Sequence, residues 1–296
     1  GGGWREECIL RETCREPLVY LCRHFASAEE CAAVLEATRL YGKPLAGWQD
    51  EIKYDMPLEP MRHPGLAGDA CATPLESLLQ RIDALCGSPR RAADQAPRVH
   101  HYPPGRASGR ARRGFPAGLH VDTNGRPFRY ATAILYLTTV PAAAGGATVF
   151  PCAGEAAAAQ AGAELLRGGT QHSRNLADED HAPLARQLED AAADRQRGLH
   201  VTPEAGKLAL FFTRGEDGEV DAASWHGGAG VGGDLDSDGK WILQVFKEVP
   251  PECRRPPGSL AEFVRARRRP RNVTAGGVRH VLEPRLALSR ARGERA

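Results

Sequence analysis

The stretch LHVDTNGRPFRYATAILYLT, residues 119–138, combines a candidate pair of metal ligands with a strong β-strand signal. It opens with His120-Val121-Asp122, an imidazole and a carboxylate two positions apart, and its second half is rich in β-branched and aromatic residues. On an extended backbone, side chains at positions i and i+2 point to the same face. The stretch therefore predicts a His/Asp pair that can bind one metal ion beside a β-strand.

A His-x-Asp pair alone is weak evidence, because about one such chain in two contains it by chance. Here it is followed in order by GGATVFP (145–151), SWHGG (224–228) and GKW (239–241), with β-type runs between them. Two histidines and one carboxylate on one face of a metal leave three adjacent positions open, enough for a bidentate oxo-acid and dioxygen. His120 and Asp122 are therefore candidate ligands of a non-haem iron.

The remaining pattern indicates helices first and β-strands afterwards. Ser27 followed by AEECAAVLEA (28–37) predicts a Ser-capped helix, and residues 73–87 predict a second helix with Pro in its first turn and Gly at its end. Short β-type runs separated by Gly, Pro and Asp follow at 98–102, 130–140, 147–150, 207–213 and 240–249. This order favours an α+β fold with a barrel or jelly-roll core over a parallel sheet.

Length, charge and hydropathy limit the possible organisation of the chain. A chain of 296 residues with 42% apolar residues can bury one sizeable core. Residues 254–296 contain twelve Arg against three Glu, which leaves about −7 for the first 253 residues of a chain whose net charge is +2. No segment approaches the roughly 18 continuous apolar residues that a membrane span requires, so we expect no membrane segment.

The cysteines and one sequon bear on the compartment. The eight cysteines form no C-x-x-C pair, which argues against a zinc ribbon or a thioredoxin-like site. Four of them fall within residues 8–31, which suits disulfides formed in an oxidising lumen, and NVT (272–274) is a glycosylation sequon. Free buried thiols and a chance sequon would explain the same residues. The endoplasmic reticulum or the secretory lumen is the favoured location, with this alternative open.

Over residues 18–250 the sequence is similar to the catalytic domain of prolyl 4-hydroxylases, within the iron(II)- and 2-oxoglutarate-dependent dioxygenases. The order and spacing of the motifs are specific, although each motif alone is common. In chain order they are FASAEEC (25–31), the helix at 75–87, YPPG (102–105), HVD (120–122), LYLT (135–138), GGATVFP (145–151), PEAGKLALFF (203–212), His226 and GKW (239–241).

The extent of this resemblance gives the expected organisation of the chain. We expect an N-terminal extension at 1–17, a dioxygenase domain at 18–250 with a helical insertion at 153–200, and a basic C-terminal tail at 251–296. The resemblance implies a double-stranded β-helix, a jelly-roll core with N-terminal supporting helices. In that fold His120, Asp122 and His226 would bind iron(II), and the reaction would use 2-oxoglutarate and O2, with L-ascorbate rescuing oxidised iron.

The resemblance also implies the residues that bind the cosubstrate. Lys240 would pair with the distal carboxylate of 2-oxoglutarate, and the hydroxyls of Tyr102 and Thr148 would contact the same molecule. A dianion in a dry barrel needs a cation at its far end, which agrees with the role of Lys240. In one alternative, Lys240 is an exposed hairpin residue and Tyr102 and Thr148 are ordinary strand residues. In another, Lys207 binds the distal carboxylate of 2-oxoglutarate, although its place after a turn favours a strand-edge lysine.

The activity that the resemblance implies is 4-hydroxylation of peptidyl proline, with succinate and carbon dioxide as co-products. The expected partner is a peptide or protein substrate rich in proline, because a polyproline II segment loses little entropy on entering a groove. The loop at 105–118 and the insertion at 153–200 are candidate groove walls. A lysyl residue, a free amino acid or a methylated nucleobase as substrate, and a non-catalytic jelly-roll binding module, are the alternatives.

Four other histidines need an interpretation. Neighbouring strand residues face opposite ways, so at most one of His100 and His101 is expected to point into the cavity. His172 and His181 lie in the predicted insertion and are expected to be solvated.

Two charged loops are interpreted as solvated segments. The arginine-rich loop at 106–113 has no recognition helix or stacking motif beside it, which makes a nucleic-acid partner unlikely on this evidence. The segment at 234–239 starts like a calcium loop, but Val245 stands at the twelfth position, where a calcium loop has Glu. We therefore predict a polar hairpin there.

Overall fold

The computed structural model of the protein describes residues 10–45, 51–56, 72–89, 95–105, 115, 118–123, 125–173, 181–233, 238–255, 257–269, 272–274 and 277–279. The helices are α1 (Ala28–Tyr41), α2 (Ala72–Cys86), α3 (Ala156–Arg167), α4 (Ala182–Ala193) and α5 (Ser259–Arg267). The strands are β1 (Arg11–Arg15), β2 (Leu18–Cys22), β3 (Lys43–Pro44), β4 (Ile52–Asp55), β5 (Arg98–Tyr102), β6 (Arg129–Tyr136), β7 (Thr148–Phe150), β8 (Leu199–Val201), β9 (Leu208–Phe212), β10 (Gly227–Gly228), β11 (Lys240–Glu248), β12 (Asn272–Thr274) and β13 (Gly277–Arg279).

Two antiparallel sheets enclose the site. The large sheet has the order β1-β2-β9-β6-β11-β5-β4-β3, and the small sheet has the order β10-β7-β8. An isolated bridge between His120 and His226 adds residue 120 to the β10 edge of the small sheet. From β5 onwards the chain therefore runs between the two sheets several times, with β6, β9 and β11 in the large sheet. This is the winding of a double-stranded β-helix, and it confirms the predicted fold class.

The two N-terminal helices support the large sheet, as the sequence predicts. Ser27 caps α1 in a capping box, because its side chain accepts a hydrogen bond from Glu30 N and the Glu30 carboxylate accepts one from Ser27 N. Val34 of α1 and Ile82 of α2 are fully buried in one core cluster with residues of the large sheet. Arg81 and Glu30 join the two helices by an ion pair of 2.6 Å.

The predicted insertion contributes α3 and α4, which pack against the segment just before β10 that carries Trp225 and His226. Leu165 and Leu188 are fully buried in a second core cluster that also contains Trp225. The Trp225 indole donates a hydrogen bond of 3.1 Å to the carbonyl oxygen of Gly162 in α3. A Cβ atom at Gly162 would lie only 2.7 Å from Trp225 Cδ1, so glycine is required where the helix meets the indole.

Some secondary-structure elements cross the domain and insertion boundaries that were predicted from the sequence. Strand β1 pairs with β2 across residue 17, and β8 pairs with β7, so that the predicted insertion ends inside a core strand. In the predicted basic tail, α5 buries Phe263 and Val264, and Phe263 lies edge-on to Tyr130 at 5.3 Å. The domain limits at 17 and 250 remain a proposal.

The cysteines divide between the two alternatives left open by the sequence. Cys22 is disulfide-bonded, whereas Cys14, Cys31, Cys86, Cys152 and Cys253 are free. In the described part of the chain, no helix combines the length and apolar character needed to cross a membrane.

Candidate active site

The three predicted iron ligands lie together between the sheets. The backbones of His120 and His226 exchange two hydrogen bonds of 2.9 Å, which fixes the two imidazoles side by side. Asp122 lies between them, with its Oδ1 3.4 Å from His120 Nε2 and its Oδ2 3.5 Å from His226 Nε2. The candidate ligand atoms of all three lie within 4.8 Å of one another. The i, i+2 spacing and the isolated bridge between distant segments together create this cluster.

Neighbouring groups orient the cluster. The Thr132 hydroxyl donates a hydrogen bond of 2.6 Å to Asp122 Oδ2, and Arg129 donates one of 2.8 Å to the Asp122 carbonyl oxygen. His226 Nδ1 lies 3.0 Å from the carbonyl oxygen of Ser224, an acceptor that keeps the proton on Nδ1. The Nε2 atom is then free to bind a metal. Such outer partners fix the tautomer and direction of metal-binding imidazoles.

The protonation states suit a divalent metal. Burial alone would raise the pKa of Asp122, but His226, His120 and the Thr132 hydroxyl together hold it well below its usual range. Burial lowers the pKa of His226 to about 4, and the nearby Asp122 offsets only part of that change. At neutral pH the cluster therefore offers an anionic carboxylate and a neutral imidazole, the forms that bind transition metals.

A cavity of about 210 Å³ extends from the cluster along the inner face of the large sheet. Lys240 forms part of its wall and is only 1% exposed. Its Nζ atom donates a hydrogen bond of 2.8 Å to the carbonyl oxygen of Gly146 and lies 4.2 Å from the centre of the Tyr102 ring. Burial lowers the pKa of Lys240 to about 8. The exposed-hairpin alternative for Lys240 is therefore wrong.

The rival lysine lies elsewhere. Lys207 Nζ is 2.9 Å from both the carbonyl oxygen of Thr202 and the carboxylate of Glu204, and Lys207 does not line the cavity. Tyr102 and Thr148 both line the cavity, and the Tyr102 ring lies next to Lys240. The Thr148 hydroxyl accepts a hydrogen bond of 2.8 Å from the Tyr136 hydroxyl. Contacts of Tyr102 and Thr148 with a cosubstrate stay a prediction.

The histidine expectations have mixed outcomes. His100 lines the cavity, whereas His101 lies on the other face and stacks on Trp241 with ring centres 3.9 Å apart, as strand alternation predicts. His172 was expected to be solvated, and this expectation is wrong. It lines the cavity, bridges to His120 and stacks on the His120 ring at 5.4 Å. His181 is half-buried against Gly168, which follows the last residue of α3.

Several residues that line the cavity were not identified from the sequence. Glu51 and Lys53 reach the cavity because β4 pairs with β5, with Lys53 opposite His100. The alternating EIKYD pattern (51–55) would have indicated three charged side chains on one face of a strand. The loops at 106–113 and 234–237, and most of the expected groove wall at 105–118, lie outside the described residues.

No protein-family model and no curated protein sequence matches this chain. Solved structures give matches. Its structural neighbours are prolyl hydroxylases and related 2-oxoglutarate-dependent enzymes. The collagen prolyl hydroxylase of Paramecium bursaria Chlorella virus-1, solved with 2-oxoglutarate, is 14% identical over 80% of this chain and 99% of its own, with a TM-score of 0.41.

Two further neighbours differ in what they act on. A prolyl hydroxylase from Trichoplax adhaerens, in complex with a hypoxia-inducible-factor peptide, is 13% identical over 84% of this chain and 86% of its own, with a TM-score of 0.42. The non-haem, α-ketoglutarate-dependent epimerase SnoN of nogalamycin biosynthesis is 17% identical over 79% and 77%, with a TM-score of 0.43. At such identities the likeness concerns the fold alone, and the chemistry of the site rests on its own side chains.

Proposed function

We propose that this chain is an iron(II)- and 2-oxoglutarate-dependent oxygenase. One observation carries the proposal, namely a buried His120–Asp122–His226 cluster that shares a single cavity with the buried cation Lys240. Two imidazoles and one carboxylate are the donor set that suits non-haem iron and leaves positions open for other ligands.

The cavity fits the cosubstrate as well as the metal. An ammonium group as buried as Lys240 is costly unless an anion pairs with it. Within the described part of the chain, no carboxylate forms an ion pair with Lys240 Nζ. A dianionic oxo-acid with one carboxylate at Lys240 and its other end at the cluster would supply the missing partner.

Iron(II) bound with 2-oxoglutarate and O2 would supply oxidation of an unactivated C–H bond. The overall balance is that C–H, O2 and 2-oxoglutarate give C–OH, succinate and carbon dioxide, with one oxygen atom in the alcohol and the other in succinate. The protein contributes orientation and water exclusion. Thr132 and Arg129 hold Asp122, Ser224 holds the tautomer of His226, and Lys240 would fix the cosubstrate.

For the substrate, we take peptidyl proline from the sequence resemblance as the first proposal. A proline-rich peptide would be hydroxylated at ring carbon 4, with L-ascorbate needed to rescue oxidised iron, and the secretory lumen would be the location. Mass spectrometry of proline-rich and collagen-like peptides after incubation with iron(II), 2-oxoglutarate and ascorbate tests this. Oxidation found only on lysine, on a free amino acid or on a methylated base would exclude the prolyl proposal.

The oxygenase proposal itself is tested on the triad. We expect Asp122→Ala and His226→Ala to abolish iron-dependent succinate formation from 2-oxoglutarate and to weaken iron binding measured by calorimetry under nitrogen. His24→Ala, at an exposed histidine, is the matched control and should behave like the parent protein. Unchanged turnover in either triad variant would contradict the proposal.

A further inference from the structure

Three histidines lie side by side at the cavity, and only two of them belong to the proposed metal-binding triad. Isolated bridges pair His120 with His226 on one side and with His172 on the other, so the three residues form one row across neighbouring segments. All three line the cavity. Residues directly opposite each other in an antiparallel pair have their side chains on the same face. His172 therefore faces the metal site from the predicted insertion.

Backbone hydrogen bonds bring the side chain of His172 close to that of His120. The bonds of this bridge lie on the flanking residues, from Val121 N to the Gln171 carbonyl oxygen (3.0 Å) and from Ser173 N to the Leu119 carbonyl oxygen (2.8 Å). This is the pattern of a non-hydrogen-bonded antiparallel pair, in which the two opposed residues and their side chains come closest together. The register of the backbone therefore fixes the contact between the two imidazoles.

The two histidines of the triad differ in how firmly their surroundings hold them. His226 Nδ1 lies 3.0 Å from the Ser224 carbonyl oxygen, and its ring packs against that of Phe211 with centres 4.6 Å apart. His120 Nδ1 lies 3.4 Å from the Gly118 carbonyl oxygen, beyond the usual limit of about 3.2 Å for an N–H···O hydrogen bond. The side chain of His120 is 22% exposed, against 3% for that of His226. His120 is therefore the less constrained of the two.

The ring of His172 supplies the constraint that a short hydrogen bond supplies for His226. The rings of His172 and His120 have centres 5.4 Å apart and planes only 15° apart, an offset-stacked pair. Such aromatic pairs are attractive beyond the surface they bury. An imidazole binds a metal well only when its ring plane points at the ion, so a second ring against its face opposes rotation away from that direction.

We propose that His172 is a positioning residue, which holds the His120 imidazole in its metal-binding orientation by stacking on it. The predicted insertion thereby completes the metal site. His172 acts through His120 and does not bind the ion itself, since the compact cluster of candidate ligand atoms among the described residues consists of His120, Asp122 and His226. This proposal rests on the proposed oxygenase function and concerns the metal site of that function.

Metal binding tests the stack independently of turnover. Cobalt(II) is the probe, because nitrogen and oxygen sites bind it at least as tightly as iron(II) and its visible absorption depends on coordination geometry. It is titrated by calorimetry into the metal-free protein, and the absorption spectrum of each complex is recorded. We expect His172→Ala to weaken cobalt(II) binding by about twofold to tenfold, the range for an aromatic pair, and to alter the spectrum.

A conservative variant separates stacking from metal binding by His172 itself. His172→Phe keeps an aromatic ring but has no nitrogen, so it should restore both the affinity and the spectrum of the parent protein. His200→Ala is the matched control, at a half-buried histidine of β8 in the small sheet that does not line the cavity, and should change neither. If His172→Ala fails to fold, His172→Asn replaces it, because asparagine is polar but has no ring. Parent-like cobalt(II) binding without the ring, or failure of His172→Phe to restore it, overturns the proposal.

The role of His172 and the oxygenase function can fail separately. If Asp122→Ala abolishes metal binding and iron-dependent succinate formation but His172→Ala binds cobalt(II) like the parent protein, only the role of His172 is wrong. If His172→Ala weakens cobalt(II) binding and His172→Phe restores it, but the parent protein forms no succinate from 2-oxoglutarate, the oxygenase proposal is wrong and the role of His172 stands.

Discussion

Replacement of Lys240 by Met should weaken cosubstrate binding and stabilise the protein without cosubstrate. Lys240 Nζ is buried at the end of the cavity, where the distal carboxylate of 2-oxoglutarate would lie. Removal of one partner of a fully desolvated ion pair costs about 3–5 kcal/mol. At about 1.4 kcal/mol per tenfold change, the dissociation constant of 2-oxoglutarate should rise by about a hundredfold to a few thousandfold.

Although Lys240→Met should weaken cosubstrate binding, it should raise the free energy of unfolding. Burial moves the pKa of Lys240 from 10.5 to about 8, so the protonated amine destabilises the folded protein by about 3 kcal/mol, at about 1.4 kcal/mol per pKa unit. Methionine removes this cost and loses the hydrogen bond to Gly146 O, worth about 1 kcal/mol. The free energy of unfolding without cosubstrate at pH 7 should therefore rise by about 2 kcal/mol.

The pH dependence gives an independent check. Because the folded-state pKa is lowered, the cost is fully present below pH 8 and disappears as pH rises towards 10.5. In this window the parent protein should gain stability with rising pH by this contribution, and Lys240→Met should lack it.

Two measurements test the predicted effects of Lys240→Met on stability and on cosubstrate affinity. Urea denaturation of the protein without metal or cosubstrate gives the stability, and calorimetry under nitrogen with iron(II) gives the affinity for 2-oxoglutarate. Lys207→Met is the matched control, since that lysine pairs with Glu204 outside the cavity. Intact cosubstrate affinity in Lys240→Met, or its loss in Lys207→Met, would refute the reasoning.

Two other substitutions test the support of the metal cluster. Thr132→Val removes the 2.6 Å hydrogen bond to Asp122 Oδ2 and should weaken iron affinity by about tenfold to a hundredfold, and an unchanged calorimetric constant would contradict this. Gly162→Ala forces a Cβ atom to within 2.7 Å of Trp225 Cδ1, so the midpoint of thermal unfolding should fall by several degrees. Gly233→Ala is the control, because a Cβ atom there would lie 3.6 Å from its nearest neighbour, an ordinary contact, and its midpoint should stay near that of the parent protein.

The parts of the fold predicted from sequence are those encoded by local pattern. Strands β5 and β11 have nearly the predicted bounds, because β-type runs bounded by Gly or Pro specify short strands. The Ser27 capping box marks the start of α1 for the same reason. The β1 strand was missed, since RETCR (11–15) consists mainly of charged and polar residues and buries little surface.

The candidate ligands could be predicted, whereas the rest of the cavity could not. His120 and Asp122 lie close in sequence, and the order and spacing of the motifs identify His226. Glu51 reaches His100 only through pairing of β4 with β5, a contact between segments almost fifty residues apart that no local pattern encodes. His172 was misinterpreted for a related reason, because its position depends on a backbone bridge to His120 from a polar loop.

The hydrogen bond from Trp225 to Gly162 couples the helical insertion to the segment that carries the second histidine. The α3 and α4 pair is therefore unsuited to exchange as an independent cassette. A chimaera that grafts other helices onto this scaffold would have to transplant a small residue opposite the indole together with the helices. Otherwise, altering α3 and α4 to change selectivity would also displace His226, and libraries aimed at new substrates are better built on the cavity residues of β4 and β5.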